Sequence, residues 1–103
     1  MKDRIQLLES YLAQTPRDSF LRHALALEYI KQQKYKEAIT QFNSLLQDDP
    51  EYVGSYYHLG KTLEKTGQED LAQEVYARGM QAAKRQNDRH AFAELKEAAD
   101  ALS

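Results

Sequence analysis

Apolar residues recur every three or four positions along nearly the whole chain, the interval that places them on one face of an α-helix. Ile5, Leu8 and Leu12, flanked by Leu7 and Tyr11, mark a first helix over roughly residues 2–14, with Lys2, Gln6, Glu9 and Ser10 on its other side. Thr15-Pro16 ends it, because proline drives the residue before it out of the helical region. Asp18 or Ser19 then caps a second helix that runs to about Gln33. After a short turn at Gln33-Lys34, a third helix carries Ala38, Ile39, Phe42, Leu45 and Leu46 and closes at Asp49-Pro50 in the manner of the first. A fourth begins near Val53, holds Tyr56, Leu59, Gly60 and Leu63, and stops at Gly67, where a residue without Cβ takes the left-handed conformation of a helix end. A fifth starts near Glu69 with Leu71, Ala72, Val75 and Tyr76. No strand-type alternation appears anywhere, so the fold class is all-α.

The helices also repeat one another. Pro16 and Pro50 lie 34 residues apart (50 − 16), and Leu8, Phe42 and Tyr76, like Leu12, Leu46 and Met80, fall in register at that interval. Where a third proline is due the chain has Lys84, so the fifth helix is expected to run on to Arg85 or Gln86 and to be the longest of six. Asn87, tolerated at positive φ, terminates it, and Asp88 caps a last helix over about 89–102. Gly79 interrupts an otherwise good helix, which predicts that the last helix crosses close to the fifth at that point.

A 34-residue helix-turn-helix period with W-x2-L-G-x2-Y…A-x3-F…P spacing resembles the tetratricopeptide repeat family. The first copy reads Arg22, Leu25, Ala26, Tyr29, Ala38, Phe42 and Pro50; the second reads Tyr56, Leu59, Gly60, Leu63, Ala72, Tyr76 and Lys84. Arg22 stands where the family has an aromatic, and Lys84 where it has proline. Small residues at Ala26, Gly60, Ala38 and Ala72 let two helices approach closely. The expected organisation is a single helical-repeat solenoid domain over 1–103, with repeats at about 19–52 and 53–86 and flanking capping helices at about 2–14 and 89–102. Together these supply the three repeats' worth of helix that such a stack needs.

Composition narrows the function further. The 103 residues include no cysteine, which removes disulfides and thiolate metal sites, and the 14 basic and 16 acidic residues are interspersed to a net charge of −2. That balance gives no broad positive field for a phosphate backbone, so nucleic acid is not an expected partner. Residues 1–20 contain Lys2, Asp3, Arg4, Glu9 and Arg17 and lack a continuous apolar core; neither a signal peptide nor a membrane span is expected, and the cytoplasm is the default. His23, His58 and His90 sit on three helices without metal-ligand spacing, and no serine lies in a nucleophile elbow. The four glycines are isolated rather than clustered in a phosphate loop, and Asp48, Asp49 and Glu51 read as turn chemistry beside Pro50. No catalytic, cofactor or metal residue is nominated, and the chain is not expected to be an enzyme.

The resemblance implies a protein-interaction module whose repeats present their first helices along a concave groove, here those at about 19–32, 53–66 and 88–102, and it extends to small bacterial members of the family that consist of little else. A protein or peptide is the expected partner; homo-oligomerisation through the same groove or an end of the stack is the alternative. On the second helix Phe20, His23, Leu27 and Ile30 form a stripe at i, i+3, i+7 and i+10 beside the core positions Leu25, Ala26 and Tyr29. Two arrangements satisfy it: the first helix and its loop cover Phe20 and Leu27, or the stripe faces outward. If outward, it joins Tyr57 and Lys61 of the next repeat as the partner-binding surface, an apolar anchor with an aromatic ring and a positive charge.

Overall fold

A computed structural model describes residues 3–103; Lys2, expected on the polar side of the first helix, lies outside the described residues. Among them are six α-helices and no strand: α1 (Arg4–Gln14), α2 (Ser19–Lys31), α3 (Tyr35–Asp48), α4 (Gly54–Lys65), α5 (Glu69–Arg85) and α6 (Arg89–Leu102). They fall into two compact units that divide between Asp49 and Pro50, the first built from α1–α3 and the second from α4–α6.

In the first unit the expected caps are in place. The Asp3 carboxylate accepts from the Gln6 amide at 2.8 Å, and that of Asp18 from the Leu21 amide at 2.9 Å. Each satisfies an amide that the first helical turn cannot. Ile5, Leu8 and Leu25 form a buried cluster, with Leu12, Leu21, Ala24 and Tyr29 packed against it, so α1 lies along the Leu21–Leu25 side of α2. Ala26, Ala38, Phe42 and Leu45 are fully buried where α2 meets α3. Arg22, in the family's aromatic position, is 93 % covered (7 % exposed) and donates to Asp48 at 3.0 Å and to the Ser44 hydroxyl at 2.6 Å. Its guanidinium thereby pins α2 to the last turns of α3, and burial is tolerated because the charge is paired and hydrogen-bonded.

The second unit is centred on two close approaches. A Cβ on Gly60 would overlap the Tyr76 ring, so α4 and α5 meet there only because the residue is glycine. A Cβ on Gly79 would stand 2.6 Å from Tyr56 Cβ and 2.9 Å from Leu95 Cδ1. Thus α6 does cross α5 at Gly79, and α4 closes on the same point from its own side. Tyr56 and Tyr76 are buried around these crossings, and both phenols are held above their ordinary value, first by desolvation. Tyr76 donates its hydroxyl to Glu64, and Tyr56 donates to the Pro50 carbonyl at 2.7 Å.

Helix ends show how the rhythm is kept and broken. α1 and α3 finish at Thr15 (φ −134°, ψ 71°) and Asp49 (φ −138°, ψ 73°), the same extended turn before proline. α2 and α4 finish on left-handed residues, Gln33 (φ 61°) and Gly67 (φ 78°). α5, with lysine in the proline slot, runs to 17 residues and ends at left-handed Asn87 (φ 55°), in the manner of α2 and α4 rather than of α1 and α3. At all three left-handed ends the following amide returns to a carbonyl five residues earlier: Lys34 to Tyr29, Gln68 to Leu63 and Asp88 to Ala83.

Candidate partner-binding surfaces

Four of the six expected residues lie on α2 in the first unit. The local reason is the helix itself: residues at i, i+3, i+7 and i+10 share a side, and α1 is packed on the neighbouring side through Leu21, Ala24 and Leu25. Phe20 consequently keeps 69 % of its surface exposed, whereas His23, Leu27 and Ile30 are half-buried. The His23 imidazole meets the buried Phe42 ring edge-on, with centroids 5.7 Å apart. Of the two arrangements open in the sequence, Phe20 follows the outward one, while Leu27 and Ile30 are partly covered.

The other two residues lie on α4 in the second unit. Tyr57 and Lys61 form one wall of a cavity of about 300 Å³, whose opposite wall is Glu94, Glu97, Ala98 and Ala101 of α6. Lys61 Nζ stands 5.7 Å from the Tyr57 ring centroid and 3.8 Å from a Glu64 oxygen, a weakly held cation above an aromatic face. Beside it His58 is half-buried and perpendicular to Tyr57, its rings 5.6 Å apart. Burial pushes its imidazole below the ordinary value, and Glu94 opposes that shift. A last helix along the groove is what the resemblance implies; which of its sides faces inward is not, because Phe92, Leu95, Ala99 and Leu102 form the apolar stripe in the sequence, whereas the buried positions are Leu95 and Ala98. The available signal was Ala91, Ala98 and Ala101, small residues on a second side of that helix.

No group of three or more His, Cys, Asp or Glu among the described residues is placed to hold a metal ion, and no helix there is long and apolar enough to cross a membrane. Asp48 and Asp49 are engaged as helix-end chemistry, by Arg22 and by the Ser19 hydroxyl at 2.6 Å respectively.

Paired antiparallel helices, a 34-residue register and small residues at the crossings define a helical-repeat protein. The family pattern described as TPR repeat matches residues 26–67, and that described as tetratricopeptide repeat matches residues 53–86. Among solved structures, a tetratricopeptide repeat domain protein from Salinibacter ruber is 38 % identical in its solution structure, covering 85 % of this chain and 89 % of that one with a TM-score of 0.82. A crystal structure of a tetratricopeptide repeat domain protein from the same organism gives 38 % identity, 82 % and 94 % coverage and a TM-score of 0.79. A protein from Bordetella parapertussis is 28 % identical over 99 % of this chain and 89 % of its own, with a TM-score of 0.84. The chain belongs to the tetratricopeptide repeat family. That family consists in general of protein-interaction modules and is typically non-catalytic. No curated protein matches this chain.

Proposed function

We propose that this chain is a non-catalytic binding module that holds a peptide or protein surface against the first helices of its repeats, using Phe20, His23, Leu27 and Ile30 on α2 and Tyr57 and Lys61 on α4. The observation that carries this reading is Phe20, a large apolar side chain 69 % exposed at the head of a stripe whose other members are half-covered. Burying a phenylalanine fully is worth about 1.5–3 kcal/mol, so one such anchor accounts for roughly ten- to hundredfold in affinity. A cysteine-free sequence agrees with a reducing compartment such as the cytoplasm.

Affinity capture with the wild-type chain and with Phe20→Ser tests it, since an exposed position can be changed without removing a core contact. Proteins retained by the wild type are expected to be lost from Phe20→Ser while helicity and melting stay the same. Identical recovery by both chains removes the α2 face from consideration. A second reading, self-association through an end of the stack, has its own support in Leu7 and Tyr11, which are 36 % and 50 % exposed on α1. Sedimentation equilibrium of the wild type and Tyr11→Lys separates it: a concentration-dependent mass that Tyr11→Lys abolishes favours self-association.

A further inference from the structure

Away from both faces, the elbow between α5 and α6 forms an open pocket of about 250 Å³ lined by Ala83, Lys84, Asn87, Asp88, Arg89 and Phe92. It lies where the chain leaves its own rhythm. Lys84 occupies the register position of Pro16 and Pro50, α5 continues past it to Arg85, and left-handed Asn87 turns the chain into α6.

We infer that this elbow binds a small organic acid, a carboxylate carried on an apolar body. Two cations line it, and neither Lys84 nor Arg89 has an ion pair among the described residues. Lys84 Nζ is instead held 5.8 Å from the Phe92 ring centroid, a contact that places the ammonium and leaves its donors available. The one acid in the lining, Asp88, already has an oxygen engaged by the Ala91 amide at 3.0 Å as the α6 cap. The lining therefore carries a net charge of +1 (two cations less one carboxylate) in a chain of net charge −2. The half-buried Phe92 ring supplies an apolar floor beside those donors. A carboxylate accepts hydrogen bonds from Lys84 and Arg89 while its apolar part covers Phe92, so both halves of the ligand are used. The volume favours a small acid over a folded protein surface, and none of the lining residues belongs to the partner-binding faces above.

Amide nitrogen–proton correlation spectra of the whole chain, titrated with 3-phenylpropionate and with neutral 3-phenylpropanamide, test the site. The carboxylate is expected to give saturable shifts confined to residues 83–92, and the amide a response weaker by about tenfold, the contribution of a charge-assisted hydrogen bond. Lys84→Met combined with Arg89→Met keeps the unbranched stems and removes both charges; it is expected to abolish the shifts, and Lys84→Arg to retain them. Lys84 and Arg89 are both exposed, so these variants leave the core intact. The inference is overturned by the absence of saturable shifts at the elbow, by an equal response to the amide, or by binding that survives in the double variant. A peptide ending in phenylalanine that binds more tightly than 3-phenylpropionate would overturn the small-acid assignment.

Discussion

Two glycine-to-alanine substitutions of identical chemistry are expected to act in opposite directions. Gly79 sits in the middle of α5, where alanine is intrinsically better by about 1 kcal/mol. The new Cβ, however, would stand 2.6 Å from Tyr56 Cβ, 3.0 Å from Tyr56 Cγ and 2.9 Å from Leu95 Cδ1. Leu95 presents the far end of a flexible side chain and can turn away. Tyr56 cannot, because its Cβ is tied to the α4 backbone, its ring is 2 % exposed and its hydroxyl is bound to the Pro50 carbonyl. Relief requires α4 to move off α5 by most of an ångström, which places the strain near the top of the overpacking range, about 3 kcal/mol. The net is a loss of about 2 kcal/mol, or roughly 10 °C in Tm for a domain of this size. Gly54 is also helical, but a Cβ there meets nothing within 4 Å and the residue is exposed at the first position of α4. Gly54→Ala is expected to gain about 0.5 kcal/mol, chiefly by restricting the unfolded chain. Thermal and urea unfolding followed by circular dichroism measure both. A Gly79→Ala variant that melts at or above the wild type would show that α4, α5 and α6 do not meet closely at Gly79.

Acid sensitivity has a named contributor in the second unit. Glu51 is held below its ordinary value of 4.5 by hydrogen bonds from Gln86 and then Arg85, so its stabilisation is full above that value and is lost as pH falls through the lower folded one. The difference in Tm between wild type and Glu51→Gln, followed from neutral pH to below the carboxylate range, is expected to shrink on acidification; parallel curves would remove Glu51 from the acid response. The position at Gln33 yields a third expectation. A non-glycine residue at φ 61° carries a left-handed penalty of about 1 kcal/mol, so Gln33→Gly is expected to raise the urea midpoint, offset only in part by the looser unfolded chain. No change or a fall would mean that the Gln33 side chain contributes to the turn.

The helices were legible because each boundary has a local chemical cause: Asp18 and Asp88 as side-chain caps, the extended residue before Pro16 and Pro50, and positive φ at Gly67 and Asn87. Gln33 was legible only as a turn, since nothing about glutamine announces a left-handed residue; its conformation is imposed by the amide of Lys34 returning to the Tyr29 carbonyl. Exposure of Phe20 was undecidable in the sequence, because it depends on which side of α2 the first helix packs against, and several sides of that helix are apolar. Which side of α6 faces Tyr57 was undecidable for a related reason: alanines signal close approach but not direction.

The departures from the repeat pattern are where this chain is most its own. Arg22 and Tyr56 hold the same register position, and each secures its helix by a polar reach rather than by apolar contact alone. Arg22 extends to Ser44 and Asp48 at the end of α3, and Tyr56 extends back to the Pro50 carbonyl. In the second unit the additional turn of α5 is tied down in turn, since Arg85 donates to the Glu51 carboxylate at 2.7 Å and Gln86 to the Glu51 carbonyl at 2.5 Å. Replacing proline by Lys84 thus lengthens a helix, and the lengthened end is fastened to the segment that precedes α4 by side chains that a proline-terminated helix would not bring there. What the repeat dictates is spacing and the places where side chains must be small. The residues proposed for recognition, Phe20 on α2, Tyr57 and Lys61 on α4 and Lys84 at the elbow, stand at positions the repeat leaves open.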